Sequence, residues 1–402
     1  MKRKSQRSAT SAVRSGLEND TQHGAVVPPL YLSTNFTFDG FDKKRQYDYT
    51  RSGNPTRGLL GDALAELERG AGAVVTSSGM SAITLVLQLL SPKDLLIAPH
   101  DCYGGTYRMI KALAAKGHFE LELVDQTDSD ALAAALARRP RMIWVETPSN
   151  PLLRITDIGA VVEGARICDA LVVVDNTFLS PVLQRPIEFG ADIVVHSTTK
   201  YLNGHSDVVG GAAVAATSEL YEKLVWWANC LGLTGSPFDS FLTMRGLRTL
   251  HVRMQAHLQN VEAVVNVLTS HPSVSRVHFP GLVDHPGHEL AAAQQDGFGA
   301  MLSFELHKGE GVVEAFLDGL TCFSLAESLG GVESLVAHPA TMTHSAMDPA
   351  GRAVAGITDE MLRLSVGIEA PEDLCADIRA GLQRALRLQS RDTAKELSSE
   401  AG

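Results

Sequence analysis

A lysine, an aspartate, a cluster of hydroxyls and a tyrosine each stand just past an apolar run, where a folded chain can gather them. Lys200 closes His196-Ser197-Thr198-Thr199-Lys200, directly after Ile193-Val194-Val195. Desolvation and nearby cations make a lysine amine nucleophilic, as Schiff-base chemistry requires, and the hydroxyls beside it suit a phosphate. Asp175 ends Leu171-Val172-Val173-Val174. A carboxylate at the end of a buried strand needs a partner, and a pyridinium nitrogen is one. Thr76-Ser77-Ser78-Gly79-Met80-Ser81 turns an apolar strand into a helix, and free N–H groups at a helix start bind anions. Tyr103-Gly104-Gly105 follows Leu95–Ile97 and offers a ring to stack on another flat ring. Each signal also has a plainer reading: a surface lysine, a turn or N-cap aspartate, an ordinary N-cap, a packing tyrosine. Together, in the order nest, aromatic, Asp, Lys, they match the aldehyde, ring nitrogen and phosphate of pyridoxal 5′-phosphate (PLP). The Gly-x-x-x-x-Gly-Lys-Ser/Thr, Gly-x-Gly-x-x-Gly and His-Glu-x-x-His motifs are missing from the sequence, which favours PLP over a nucleotide or a metal.

The elements that must position these residues follow from the apolar pattern. Strand-like runs fall at Ala73–Thr76, Leu95–Ile97, Leu121–Val124, Met142–Val145, Leu171–Val174 and Ile193–Val195. Helical patterns lie between several of them, at Ser81–Leu90, Ala131–Arg138 and Ile158–Cys168, with another before them at Ala63–Arg69. Continuous apolar strands alternating with helices predict a mostly parallel α/β sheet covered on both faces. Ligands of such sheets sit at the carboxyl ends of the strands, where the candidate residues stand. After about Arg253 the texture shifts to a long helical stretch, Met254–Leu268, then strands at Met301–Leu306 and Leu362–Val366 and a final helix from about Pro371 to Leu388. The polar tail after Gln389 is expected to fray. Three parts are therefore expected: an irregular, aromatic arm over 1–60, a large domain over 61–253, and a smaller α+β domain over 254–402. The arm carries Tyr31, Phe36, Phe38, Phe41, Tyr47 and Tyr49, too aromatic for a disordered tail, and is expected to pack on something such as another subunit.

Bulk properties narrow the class. At 402 residues the chain exceeds one small core, and 45% hydrophobic with 20% charged residues is ordinary for a soluble protein. A formal net charge of −11 argues against a nucleic-acid partner, and no apolar run is long enough to span a bilayer. The basic start has no apolar stretch behind it, so it does not read as a secretory signal. Five scattered cysteines without Cys-x-x-Cys spacing read as reduced thiols in a cytoplasmic protein, not as a disulfide frame or zinc site.

The run Val194-Val195-His196-Ser197-Thr198-Thr199-Lys200-Tyr201-Leu202-Asn203-Gly204-His205-Ser206-Asp207 resembles the signature of the Cys/Met-metabolism PLP-dependent enzymes, and the likeness extends from about Ala12 to Leu388. The resemblance implies the aspartate-aminotransferase-like fold (fold type I) of PLP enzymes. It implies that Lys200 forms the Schiff base and shuttles protons, that Asp175 pairs with the ring nitrogen and that Tyr103 stacks on the ring. Gly79, Met80, Ser197 and Thr199 would hold the phosphate. Tyr49 and Arg51 would reach the phosphate of a neighbouring subunit in a dimer or, commonly, a homotetramer, with Tyr49 and Tyr103 aiding acid–base steps. Arg363 would clamp the substrate α-carboxylate, assisted by Asn150 and Ser328.

Within the family, Glu327 in Leu325-Ala326-Glu327-Ser328 matches the γ-synthase and γ-lyase pattern, and Asp101-Cys102-Tyr103-Gly104-Gly105 resembles the bacterial synthase branch. The implied reaction is γ-replacement of an acylated homoserine by cysteine to give cystathionine. Elimination from cystathionine by the same residues is the alternative, and a non-catalytic PLP-binding protein a remote one. Ser52 stands where some synthases have a second arginine, as in γ-lyases. Arg108 is then a candidate for a distal carboxylate, a surface arginine being the equal alternative.

Overall fold

The computed structural model describes residues 8–343 and 349–400. They form two compact units. The first comprises the chain up to His100, Gly105–Thr147 and Thr156–Val252; the second comprises Asp101–Gly104, Pro148–Ile155 and the chain from Arg253. Two short segments of the sequence expected to lie wholly within the large domain thus belong to the second unit.

The first unit is built on a seven-stranded sheet of β1 (Gly72–Thr76), β2 (Leu95–Pro99), β3 (Glu120–Val124), β4 (Met142–Glu146), β5 (Leu171–Asp175), β6 (Ile193–His196) and β7 (Gly211–Ala215). Their order is β1-β7-β6-β5-β4-β2-β3, and only β7 runs against its neighbours. Because β1 and β6 are both antiparallel to β7, they run the same way. The carboxyl ends of β1, β5 and β6 therefore share one edge of the sheet, the edge at which such sheets bind ligands. Alternate residues explain why the sheet is covered. Val172 and Val174 join Ile143, Val145, Leu95 and Ile97 in a core completed by Ile158, Val161, Val162 and Ala165 of the helix Ile158–Cys168. That apolar stripe recurs at three- and four-residue spacing, as a helix lying on a sheet requires.

Three local differences from the sequence expectations have physical causes. A helix runs over Pro55–Glu68, starting within the segment read as irregular. Asn54 accepts hydrogen bonds from the N–H groups of Thr56 and Arg57, and Pro55 is preset for the first turn. Strand β7 has no counterpart in the apolar reading, because Gly-Ala-Ala-Val-Ala is small rather than strongly apolar. Its smallness is a packing requirement: a Cβ on Gly211 would lie 2.1 Å from the Ser78 oxygen. The last helix, Pro371–Glu400, continues past Gln389 instead of fraying there. Residues 390–400 contain no glycine or proline to break the helix.

The second unit contains a five-stranded sheet of β8 (Val274–His278), β9 (Met301–Leu306), β10 (Ser324–Leu325), β11 (Leu335–Ala337) and β12 (Met361–Ser365). Its order is β10-β11-β12-β9-β8, antiparallel except for the β10–β11 pair. Arg363 sits at the middle of β12, opposite Ser303 of β9 and Ala337 of β11.

Candidate active site

In the first unit, six of the sequence-nominated residues stand at the carboxyl edge of the sheet: Gly79, Met80, Asp175, Ser197, Thr199 and Lys200. Ser78 caps the helix Gly79–Leu87 by accepting from the Ser81 N–H, so the helix start is fixed just past β1. A Cβ on Gly79 would stand 2.9 Å from the Ser197 Cβ, so glycine is what lets this helix start approach the loop after β6. Ser197 is held there by its N–H, which donates to the Thr177 hydroxyl at 2.9 Å. Met80 begins the same helix and its carbonyl accepts from Thr84 at 2.8 Å. Thr199 is differently employed. Its hydroxyl accepts the Gly210 N–H at 2.9 Å and faces the Gly210 carbonyl at 3.2 Å, so it must release that carbonyl before donating to a phosphate. Lys200 ends a turn in which its N–H meets the Ser197 carbonyl at 3.2 Å, and its side chain is partly buried.

Asp175 keeps some contact with solvent at the end of β5. Desolvation pushes its carboxyl above the usual range. Hydrogen bonds from Thr177 and the electrostatic influence of nearby His196 act against that shift. The N–H of Thr177 donates to Asp175 Oδ1 at 3.0 Å. A desolvated carboxylate gains most from a fixed cationic partner, which is what a protonated ring nitrogen supplies. An anion-binding helix start, the Ser197 hydroxyl, a lysine amine and this carboxylate together suit the phosphate, aldehyde and ring nitrogen of PLP.

The second unit holds the arginine nominated to meet a carboxylate. Arg363 is 4% exposed; its Nη1 donates to Asn150 Oδ1 at 3.1 Å and its Nη2 to the Ser328 carbonyl at 2.9 Å. These two hydrogen bonds set the plane of the guanidinium, whose fork geometry suits a carboxylate. Ser328 contributes its carbonyl from a left-handed backbone conformation, φ 94°. Asn150 is set by a bracket that the sequence reading did not single out. Buried Asp101 accepts from Ser149 Oγ at 2.6 Å and from Arg154 Nη1 at 3.3 Å, tying together the segments that carry Tyr103 and Asn150. Tyr103 and Glu327 are both exposed.

The remaining nominated residues lie at the surface of the first unit. Tyr49 and Arg51 are exposed, and Arg51 Nη1 donates to the carbonyl and side-chain oxygens of Asn229 at 2.7 and 2.6 Å. Their segment is anchored from below by Arg57, whose guanidinium donates to the carbonyls of Thr50, Arg51 and Gly235. Arg108 is exposed on the helix Gly104–Ala115. Thr177, Asp101 and Arg57 are the residues that sequence reasoning missed. Only Thr177 had a visible signal, standing two residues after Asp175 beyond a buried strand.

Among the described residues, no group of three or more His, Cys, Asp or Glu is arranged to hold a metal ion. Nor is any helix among them long and apolar enough to cross a membrane.

Comparison with known proteins agrees with this geometry. The family model of the Cys/Met metabolism PLP-dependent enzymes matches residues 9–383. The cystathionine gamma-synthase of Escherichia coli (strain K12) is 56% identical over 378 residues, 94% of this chain and 98% of that protein. A solved cystathionine gamma-synthase from Xanthomonas oryzae pv. oryzae, in complex with cystathionine, superposes with a TM-score of 0.94 at 64% identity, covering 95% of this chain and 99% of that one. The cystathionine gamma-lyase from Lactobacillus plantarum, complexed with L-serine, follows at a TM-score of 0.92 and 42% identity, covering 95% and 100%. With the lysine, carboxylate and anion-binding helix start at one sheet edge and a match over nearly the whole chain, this protein belongs to the Cys/Met metabolism PLP-dependent enzyme family.

Proposed function

We propose that the protein is a cystathionine γ-synthase, joining O-succinyl- or O-acetyl-L-homoserine to L-cysteine to form L-cystathionine in methionine biosynthesis. The observation that carries this reading is the identity pattern over almost the full chain: 56% and 64% to two gamma-synthases, against 42% to a gamma-lyase. Retention of Glu327 accords with it. Ser52 favours the second reading, a cystathionine γ-lyase that cleaves cystathionine to cysteine, 2-oxobutyrate and ammonia.

The roles follow from the chemistry of each group. PLP supplies an electron sink that makes the hydrogens beside the substrate amine acidic. Lys200 would hold PLP, and its Nζ is the group that would take and return protons at substrate Cα and Cβ. Asp175 would pair with the ring nitrogen and favour its protonated form. The start of the helix Gly79–Leu87, with Ser197, receives the phosphate, joined by Thr199 if it exchanges the Gly210 carbonyl for it. Arg363 fixes the α-carboxylate, with Asn150 and Ser328 orienting its fork. Tyr103 would face the ring and, with Tyr49 of a neighbouring copy, would assist proton transfers near the incoming sulfur. Arg108 and Glu327 are the candidates for contacts beyond the α-carbon.

The working form in this reading is a cytoplasmic homotetramer built from dimers that share active sites. Leu32 and Val26 are 66% and 61% exposed and Phe41 is wholly so, an apolar arm that a second copy would cover.

Product analysis tests the assignment in three parallel reactions of the PLP-loaded protein: O-succinylhomoserine with cysteine, O-acetylhomoserine with cysteine, and cystathionine alone. Cystathionine formed from one donor, with little 2-oxobutyrate from cystathionine, establishes the synthase and its acyl group. Rapid 2-oxobutyrate from cystathionine without synthesis makes it the lyase.

A further inference from the structure

Beneath the sheet edge that carries Asp175 lies a buried polar network with no direct part in the chemistry above. Glu68, the last residue of the helix Pro55–Glu68, is fully buried, and so, within 1%, are His196, Asn176 and Gln184. Glu68 Oε1 stands 2.6 Å from His196 Nε2 and accepts from Asn176 Nδ2 at 2.8 Å. Asn176 Nδ2 also donates to the Gln184 carbonyl at 2.7 Å, and Gln184 Nε2 donates to Asn176 Oδ1 at 3.1 Å. The same Gln184 amide reaches the Thr147 carbonyl at 3.1 Å.

The members stand at equivalent places in the sheet. Thr147 follows β4, Asn176 follows β5 and His196 ends β6, so one network binds the carboxyl ends of three adjacent parallel strands. Asp175 immediately precedes Asn176 and is in register with Glu146 on one side and Val195 on the other. Ser197 immediately follows His196. The Asn176 N–H closes the frame on the Val195 carbonyl at 3.0 Å.

A buried carboxylate–imidazole pair is a weak stabilising device, because its desolvation offsets most of its attraction. What it offers instead is a fixed position and a fixed local field. His196 lies close enough to act on Asp175 electrostatically, in the direction that favours the charged carboxylate, against desolvation by the surrounding protein. Glu68 is the carboxylate that faces that imidazole.

We propose that Glu68 and His196 are positioning residues that fix the place and charge of Asp175 against the ring nitrogen of PLP. The inference rests on the reading of Asp175 as the partner of that nitrogen. Glu68 acts through His196 and through Asn176, and touches neither cofactor nor substrate.

A double-mutant cycle on the full-length apoprotein tests this, reading PLP affinity by absorbance titration in wild type, Glu68→Gln, Asp175→Asn and the double variant. Glu68→Gln is expected to weaken PLP about tenfold beside Asp175 and less than about twofold in the Asp175→Asn background, because coupled residues are not additive. The same factor in both backgrounds, as a general loss of structure would give, overturns the inference, and so does unchanged affinity in Glu68→Gln. If Asp175→Asn alone binds PLP as tightly as wild type, the reading of Asp175 falls and this inference with it. Should Glu68→Gln not fold, His196→Gln enters the same cycle with the same two outcomes.

Discussion

Arg363 and Asp175 carry opposite charges, and each is prepared by its surroundings in an opposite way. Arg363 is nearly buried, and its hydrogen bonds to Asn150 Oδ1 and the Ser328 carbonyl orient its fork. Asp175 is a carboxylate held where desolvation disfavours its charge, so a cationic partner gains by meeting it. Arg363→Ala removes the fork and is expected to raise KM for the acylhomoserine and lower kcat/KM about a hundredfold, roughly 3 kcal/mol of charge-assisted hydrogen bonding. Steady-state kinetics with that substrate varied checks it; unchanged kinetics removes Arg363 from the substrate carboxylate. Residues of this kind were legible in the sequence. Asp175 directly follows an apolar run and Lys200 closes the short polar segment after another, so chemistry and position can be read from one short window. Glu68 and His196 could not be paired that way, since 128 positions separate them.

At the scale of elements, the approach of the helix Gly79–Leu87 to β7 depends on Gly211. A methyl group there would meet the Ser78 oxygen at 2.1 Å and the Gly79 nitrogen at 2.7 Å, so the helix start or the strand must shift. Gly211→Ala is expected to cost about 1–3 kcal/mol of stability and to weaken PLP binding together with it. Thermal melting of the apoprotein and a PLP titration read the two effects; a variant unchanged in both shows that the site tolerates the side chain. A second element-level consequence concerns acid. His257, on the helix Leu250–Thr269, has Nδ1 2.7 Å from the Val366 carbonyl after β12, and burial, aided by the Arg253 charge, lowers its pKa to about 4. An unfolded histidine titrates near 6.5. Between those values the unfolded chain binds a proton that the folded chain refuses, so stability declines as the pH falls from about 6.5 toward 4, by about 3 kcal/mol in total. Urea midpoints at pH 7 and pH 4.5 measure the decline, and His257→Gln should flatten this part of it. An equally steep decline in the variant assigns the acid sensitivity to other groups.

For the whole molecule, the proposed assembly makes the activity a property of more than one copy. If Tyr49 and Arg51 serve a neighbour's phosphate, Arg51→Ala and Lys200→Ala damage different halves of a shared site. Two weakly active proteins unfolded and refolded together should then regain about a quarter of wild-type activity through mixed dimers with one intact site each. No gain on mixing, with mixed oligomers shown by native mass spectrometry, means that each copy completes its own site. The exposed arm around Phe41 was recognisable in the sequence as a segment with no core of its own. The composition of the two units was not so readable. Asp101–Gly104 and Pro148–Ile155 belong with a unit that begins for the rest of the chain at Arg253. Nothing in their local composition marks that allegiance, because it is made by distant partners such as Ser303 Oγ, which donates to the Pro151 carbonyl at 2.7 Å.

What the sequence determined by itself was the alternation of apolar strands and helices, the placing of Gly79, Asp175, Ser197 and Lys200 after strands, and a signature long enough to point to a family. These are local properties, written in residue type and spacing. The tertiary structure decided what depends on meeting at a distance. It brought the ends of β1, β5 and β6 to one edge through the antiparallel β7, engaged the Thr199 hydroxyl with Gly210, and bracketed Asn150 through Asp101. It also set Glu68 against His196 behind Asp175. A hydrogen bond between residues far apart in the chain leaves no periodic trace in either segment, so only the folded chain reveals it.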